Sequence, residues 1–321
     1  MSLTKNFLLF LSVIFTFLSA CQSSSASHSQ LEEMNELGLI RESVQQFKKE
    51  VRKNPNDTKT HHLYGQALVQ ARQYHTAVKH LEFGTPQERE NFHATFYLAE
   101  AYRGQQKFAQ AIFYYNKALT FRPKDINALT ALSWSYFRVR YYSESLATST
   151  RLLKIDEENT EGSIILARTY IKLSQLDKAE NVIKSAKKFT EPSMFPFLNS
   201  VLGEVYFQKS EYSKSIKAFR KALRKEPMLA GALYGLGRCL AAKGRPNAAA
   251  HYMAEALKIR PAYSEVHFQL GRILEQKDPQ KSILHYESFK RMAHSDPEHL
   301  QSVQIASKRI QHLKAKQSSY K

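Results

Sequence analysis

Apolar and small residues recur along this chain at a fixed spacing of about 34 residues. The pattern is clearest from Pro196 to Pro261. Written as two blocks beginning at Pro196 and Ala230, Leu202-Gly203 aligns with Leu236-Gly237, Phe219 with Met253, Ala222 with Ala256 and Pro227 with Pro261. A period of this length fits a helix–turn–helix unit that buries its apolar face only by stacking on its neighbours. Small residues at Gly203, Gly237, Ala222 and Ala256 let two antiparallel helices approach closely, and larger apolar residues fill the space between pairs. Each Pro separates one unit from the next, because it lacks an N–H and its ring clashes with the preceding turn.

The same register extends in both directions. Residues 92–125 supply Leu98-Ala99, Tyr102, Ala111, Tyr115, Ala118 and Pro123; residues 58–91 supply Tyr64-Gly65, Leu68, Ala77 and Leu81, with Gly84 in place of the second Ala. Residues 126–159 keep Leu132, Tyr136 and Tyr142, with Glu157 where Pro is usual. Residues 160–193 keep Leu166-Ala167, Tyr170, Ala179 and Ala186, and a two-residue insertion follows at Met194-Phe195. Residues 264–297 keep Leu270-Gly271, Leu274 and Tyr286, with a loop one residue short. The expected fold is an all-α, right-handed solenoid of about seven helix–turn–helix repeats, four in 58–193 and three in 194–297. The insertion, flanked by Pro192 and Pro196, is the candidate boundary between two sub-arrays. Residues 31–57 read as a partial N-terminal capping repeat, in which Ser43, Phe47 and Pro55 fit a second helix. Residues 298–321 read as a capping helix and basic tail, with Val303, Ala306, Ile310 and Leu313 on one face; the alternative for that helix is a membrane surface.

These positions resemble the tetratricopeptide repeat family, whose pattern is a Leu-Gly pair, a Tyr, an Ala, an aromatic, a second Ala and a Pro over about 34 residues. The resemblance implies that the first helix of each pair lines a concave groove that takes a protein or peptide segment. Carried over place by place, the lining residues are Phe96, Glu100, Arg103, Trp134, Phe137, Arg138, Arg168, Lys172, Phe197, Glu204, Phe207, Tyr234, Arg238, Phe268 and Arg272. Aromatic and Arg side chains are the types that dominate protein-interaction hot spots, the rings through buried area and Arg through paired hydrogen bonds to carboxylates. The alternative is that several of these rings turn into neighbouring repeats. Members that hold a C-terminal carboxylate with Lys and Asn have no counterpart here, since His62, Gln66, Phe96 and Glu100 stand at those places.

The N-terminal segment, 1–20, changes the picture of the partner. Lys5 followed by the apolar run Phe7 to Leu18 reads as a secretory signal, too short to span a bilayer comfortably. Leu18-Ser19-Ala20-Cys21 resembles the lipobox of bacterial lipoproteins, which implies a lipid on Cys21, a polar tether over 21–30 and a place in the cell envelope. Gln22 after the Cys, by the same resemblance, favours the outer membrane, facing the periplasm. The alternatives are an uncleaved anchor or a plain signal cut near Ala20. The net charge of +18 and pI near 9.7 alone would point to nucleic acid. Export points instead to anionic lipid head groups, lipopolysaccharide or acidic proteins, or to Lys and Arg that merely solubilise the outer helix faces.

Candidate chemistry adds little. Gly235-Leu236-Gly237 lacks the third Gly and preceding strand of a dinucleotide loop and fits repeat packing. His61, His62, His75, His80 and His93 match no zinc spacing and read as scattered surface residues, while Cys239 reads as a small buried hydrophobe. No catalytic constellation stands out, so neither enzyme activity, nor metal, nor any cofactor beyond the lipid on Cys21 is expected, and no nucleic acid. The expected function is a lipid-anchored scaffold that assists assembly of an envelope complex, similar to lipoproteins of type IV pilus and secretin assembly or of cell-wall enzyme organisation. The competing expectation is a non-catalytic subunit of an envelope enzyme or secretion system.

Overall fold

The computed structural model describes residues 39–83, 91–294 and 296–318. The signal, Cys21, the tether, the first residues of the capping repeat (31–38), Gly84 and Lys321 lie outside the described residues. Helices and short 3-10 turns make up the regular structure there, with no strand among the described residues. The chain divides into two compact units between Asp156 and Glu157.

Unit 1 holds α1 (Ile40–Lys53), α2 (Thr58–Gln70), α3 (Tyr74–Leu81), α4 (Phe92–Gly104), α5 (Phe108–Phe121), α6 (Ile126–Arg138) and α7 (Tyr142–Ile155). Unit 2 holds α8 (Thr160–Lys172), α9 (Leu176–Ala186), α10 (Phe195–Gln208), α11 (Tyr212–Lys225), α12 (Ala230–Ala242), α13 (Pro246–Ile259), α14 (Ser264–Leu274), α15 (Pro279–Ala293) and α16 (Leu300–Ser318). The pairs from α2/α3 to α14/α15 are the seven expected repeats. Within each unit every helix packs on the next along the chain. The expected boundary at Met194-Phe195 lies inside unit 2. There a 3-10 turn, Pro192–Met194, leads into α10, and one apolar cluster runs straight through from Ile164 and Ile183 to Leu198 and Val205.

Local chemistry sets where the helices start and stop. Asp57, Asn91, Asp125 and Asn159 occupy the same repeat position, and each side chain accepts from a backbone N–H in the first turn of α2, α4, α6 and α8. Between the two helices of a repeat the chain turns through a left-handed residue. Arg72, Gln106, Arg140, Ser174, Ser210 and Gly244 have φ between 58° and 70° and stand at one position in six consecutive repeats. The turn is held by paired bonds back to the first helix, as in Gln106 N–H to Arg103 C=O and Lys107 N–H to Tyr102 C=O, both 2.9 Å. Those bonds let five residues with a Cβ adopt a backbone that ordinarily favours Gly. The shorter seventh loop lacks such a residue, and Asp278 caps α15 there instead. Helices α5, α11 and α13 end two residues before Pro123, Pro227 and Pro261.

The small residues sit where helices touch. Gly65, Ala99, Gly203, Gly237 and Gly271 are buried on first helices, and Ala111, Ala118, Ala222 and Ala256 on second helices. A Cβ at Gly65 would lie 2.5 Å from Leu81, at Gly203 2.7 Å from Phe219, at Gly237 2.9 Å from Met253 and at Gly271 2.7 Å from Tyr286. Each glycine therefore receives the large side chain of its own second helix. At the first-Ala position three repeats carry Ser. Ser145, Ser215 and Ser282 are fully buried, and each hydroxyl donates to a first-helix carbonyl, of Ser133, Gly203 and Gly271.

Helices α1 and α16 each pack on the helix pair next to them. Ser43 and Phe47 of α1 are buried against α2. On α16, Ala306, Ile310 and Leu313 are buried and Val303 half-buried against Ile283, Tyr286 and Phe289. The cations of α16 are partly committed: Arg309 bonds both oxygens of Glu275, and Lys314 reaches Glu287 at 2.8 Å. No helix among the described residues is long and apolar enough to cross a membrane.

Candidate protein-interaction faces

The first helices of unit 1 carry two clusters. On α4, Arg103 is held by Glu100, and the Tyr115 hydroxyl from α5 donates to the same carboxylate. Burial of Tyr115, together with the Glu100 charge, pushes its phenol pKa well above the usual range. Phe96 stacks on Phe92 with centroids 5.6 Å apart and tilts against Tyr115 at 6.0 Å, so it is anchored on the core rather than free. On α6, Trp134 and Phe137 stack with centroids 5.4 Å apart and planes 14° apart. The Arg138 guanidinium lies 4.8 Å over the Phe108 ring and 6.0 Å from Trp134. Both rings of α6 are half-buried, an aromatic pair on a first helix that keeps part of its surface accessible.

In unit 2 the structure brings together Glu204, Phe207, Tyr234 and Arg238. Arg238 donates to both oxygens of Glu204 at 3.1 and 2.9 Å, lies 3.8 Å over the Phe207 ring and 5.4 Å from Tyr234. Glu204 and Arg238 occupy the same repeat position in neighbouring repeats, so the pair stitches α10 to α12. Tyr263, just before α14, completes the group with its ring 5.1 Å from that of Tyr234. Burial raises both phenols, Tyr263 to about 12. Burial also pushes the Arg168 guanidinium down, while the neighbouring Tyr263 opposes that shift. Lys172 on α8 comes within 3.9 Å of Glu298, beyond α15. Phe268 packs at 4.9 Å on Phe289 and 5.9 Å on Tyr286, facing the apolar cluster under α16. Arg272 and Phe197 are exposed. Tyr263 was not legible as a member because it stands in a turn, outside the first-helix positions.

The histidines differ from the expectation of a scattered surface set. His61 is buried, with its Nδ1 2.9 Å from Nδ1 of His80 and its Nε2 3.1 Å from the Pro55 carbonyl. The last repeat repeats this arrangement: His267 Nδ1 is 2.9 Å from His285 Nδ1, and its Nε2 is 3.0 Å from the Pro261 carbonyl. The carbonyl fixes the proton on Nε2 of His61 and His267, so His80 and His285 donate from Nδ1. Burial first, then the charges of His61 and Lys79, lowers His80 to about 4; burial, then His267 and Lys281, lowers His285 likewise to about 4. A His with a folded value below its unfolded 6.5 binds its proton more readily when unfolded. Stability is therefore expected to be full above about pH 7 and to fall as pH drops from 6.5 towards 4. Melting temperatures between pH 7.5 and 4.5 check this, and His80→Phe with His285→Phe should flatten the profile. An unchanged slope in the double variant would contradict it.

Among the described residues no group of three or more His, Cys, Asp or Glu side chains is placed to hold a metal. Cys239 is fully buried with its Sγ 3.0 Å from the Ser215 hydroxyl, and burial pushes its thiol up, as befits a packing residue.

The Tetratricopeptide repeat family profile matches residues 64–126 and 201–264, which hold Gly65, Gly203 and Gly237 and four of the left-handed turns. The two matched stretches are tetratricopeptide repeats, and the other helix pairs share their fold. A profile for anaphase-promoting complex, cyclosome, subunit 3 matches residues 104–186. A tetratricopeptide repeat protein from Parabacteroides merdae is similar in structure, with a TM-score of 0.63 at 16% identity over 83% of this chain and 98% of that one. A chain of the APC/C hetero-tetramer Cut9-Hcn1 gives 0.62 at 17% identity over 85% of this chain and 52% of that one. Pseudomonas aeruginosa pilF gives 0.53 at 15% identity over 70% and 97%. A curated relative, the BBSome complex member BBS4 homolog of Drosophila melanogaster, is 24% identical over 187 residues, 56% of this chain and 37% of that protein. The chain thus spans well under two thirds of the curated relative and of the Cut9-Hcn1 chain. These identities show a shared tetratricopeptide fold.

Proposed function

We propose that this tetratricopeptide protein is a lipid-anchored scaffold that holds a partner protein on its first-helix faces and so assists assembly or organisation of a bacterial envelope complex. The half-buried Trp134–Phe137 pair beside Arg138 carries the reading. A stacked aromatic pair flanked by a guanidinium supplies rigid buried area and an oriented charge, the combination found at hot spots. The general role of binding protein partners follows from the repeat fold. Two similar proteins bear the names of multi-protein assemblies and a third of similar fold is Pseudomonas aeruginosa pilF, which supports an adaptor role, with pilus or secretin assembly as one setting. The anchor rests on Leu18-Ser19-Ala20-Cys21.

Two experiments test the two parts separately. Cys21→Ala is expected to move the protein from the detergent-soluble membrane fraction to the soluble or precursor fraction. Mass spectrometry showing an unmodified Cys21 in the wild-type protein would remove the anchor. A photocrosslinking residue at Trp134 or Tyr234 should yield a discrete adduct in cells, whereas one at the outward-facing Phe113 should not. Adducts from Phe113 alone would move the binding face to the second helices.

A further inference from the structure

Helix α11 is unlike every other second helix of the array. Its 14 residues contain Lys214, Lys217, Arg220, Lys221, Arg224 and Lys225 and no acid. By contrast α7, α9, α13 and α15 each carry at least one Asp or Glu, and α3 and α5 carry a single Lys each. All six cations are exposed. Lys214 pairs with Glu211 at 2.6 Å; the other five have no ion-pair partner among the described residues. The charge continues onto the end of α9, where Lys184, Lys187 and Lys188 follow one another. Lys187 donates to Asn199 of α10 at 2.5 Å and is near enough to Lys221 for that charge, after burial, to push its own ammonium pKa down. The nearby acids are Glu191 and Glu226, both in turns, and Glu180, which is taken up by Lys184 and Lys209. Folding has thus gathered like charges on one face, and their mutual repulsion is relieved when an anionic surface meets them.

Two exposed apolar side chains lie in the turns that directly follow these basic helix ends. Phe189 comes one residue after Lys188 and is 45% exposed; Met228 comes three residues after Lys225 and is 68% exposed. An acidic protein or a nucleic acid would explain the cations and leave these two side chains unexplained. An anionic bilayer accounts for both. Its head groups neutralise Lys and Arg, whose stems reach along the interface, and its acyl boundary takes up Phe and Met.

We propose that the outer face of α11, with the end of α9 and the Phe189 and Met228 turns, lies against an anionic phospholipid surface. The contact is separate from the partner face and does not depend on it. It would set which side of unit 2 faces the membrane and leave the first helices open to a partner.

The test is the partition coefficient of the full chain, carrying Cys21→Ser in every arm, onto two kinds of vesicle. One is phosphatidylglycerol mixed with twice as much phosphatidylcholine, and the other is pure phosphatidylcholine. The N-terminal segment is the same in every arm, so differences between variants in the ratio of the two coefficients do not come from it. Lys217→Glu/Lys221→Glu/Arg224→Glu should lower that ratio about tenfold or more. Lys48→Glu/Lys154→Glu/Lys308→Glu, with the same change in net charge at exposed sites elsewhere, should change it less than about threefold. Phe189→Ser/Met228→Ser should weaken binding to the anionic vesicles several-fold with helicity unchanged. Equal losses in the two triple variants would show that only net charge matters and overturn the assignment. Vesicle binding unaffected by the α11 substitutions, with affinity for poly-L-glutamate lost, would give the face to an acidic protein and overturn it as well.

Discussion

Phe219→Ala is expected to lower the unfolding free energy by about 3–5 kcal/mol. The ring is 1% exposed and lies between two glycines of adjacent first helices. A Cβ at Gly203 would approach it to 2.7 Å and a Cβ at Gly235 to 2.2 Å. The truncated side chain would leave a cavity shared by two repeats, and neither helix can close on it alone. The glycines test the same contact from the other side. Gly235→Ala should cost about 1–3 kcal/mol with Phe219 present, because the ring has to shift within a packed core. In the Phe219→Ala background the same change should be neutral or stabilising by up to about 1 kcal/mol, since Ala is the better helix former and the space is then empty. Urea unfolding of the four proteins gives the coupling directly. Additive effects would mean that ring and glycine do not meet and that the repeat register is displaced.

The second large effect is on binding. Trp134→Ala is expected to weaken partner affinity by about 2 kcal/mol or more. Its ring is half-buried and stacked on Phe137 rather than enclosed by the repeat core, so helicity should be unchanged. Arg238→Ala should behave differently from Trp134→Ala. It frees Glu204 and uncovers the Phe207 ring, so its loss of affinity should come with a small loss of stability in unit 2. Charge reversal at Arg168 should weaken binding and reduce its dependence on salt if the partner presents carboxylates.

Much of this architecture was legible in the sequence because steric rules act at fixed repeat positions. Gly65, Gly203, Gly237 and Gly271 each meet a large side chain of their own second helix, and Val303, Ala306, Ile310 and Leu313 form the inward face of α16 as their spacing requires. Features that depend on partners brought from elsewhere were not legible. Arg72, Gln106, Arg140, Ser174 and Ser210 give no hint in their side chains of a left-handed backbone, because the turn is imposed by bonds between main-chain groups. The His61–His80 and His267–His285 pairs look like scattered residues until the helices of one repeat are set side by side. Expected inner-face cations were read as facing a ligand, yet Arg103 is bound by Glu100, Arg238 by Glu204 and Lys172 by Glu298. A signal for the second was present, since Glu204 and Arg238 are one repeat length apart in the chain and therefore neighbours across a repeat boundary. The end of unit 1 at Asp156 had only a weak mark, the Glu157 that replaces the usual Pro.

The claim that a partner is held on the first-helix faces is tested most directly by one paired affinity measurement. Once the crosslinked partner is identified, its dissociation constant should be measured for the wild type, Trp134→Ala and Phe113→Ala, with circular dichroism on the same samples. The inner-face variant should lose about 30-fold in affinity or more at unchanged helicity. The variant at Phe113, which is 63% exposed on a second helix, should bind like the wild type. Wild-type affinity in Trp134→Ala together with weakened binding in Phe113→Ala would contradict the account and place the partner on the second helices.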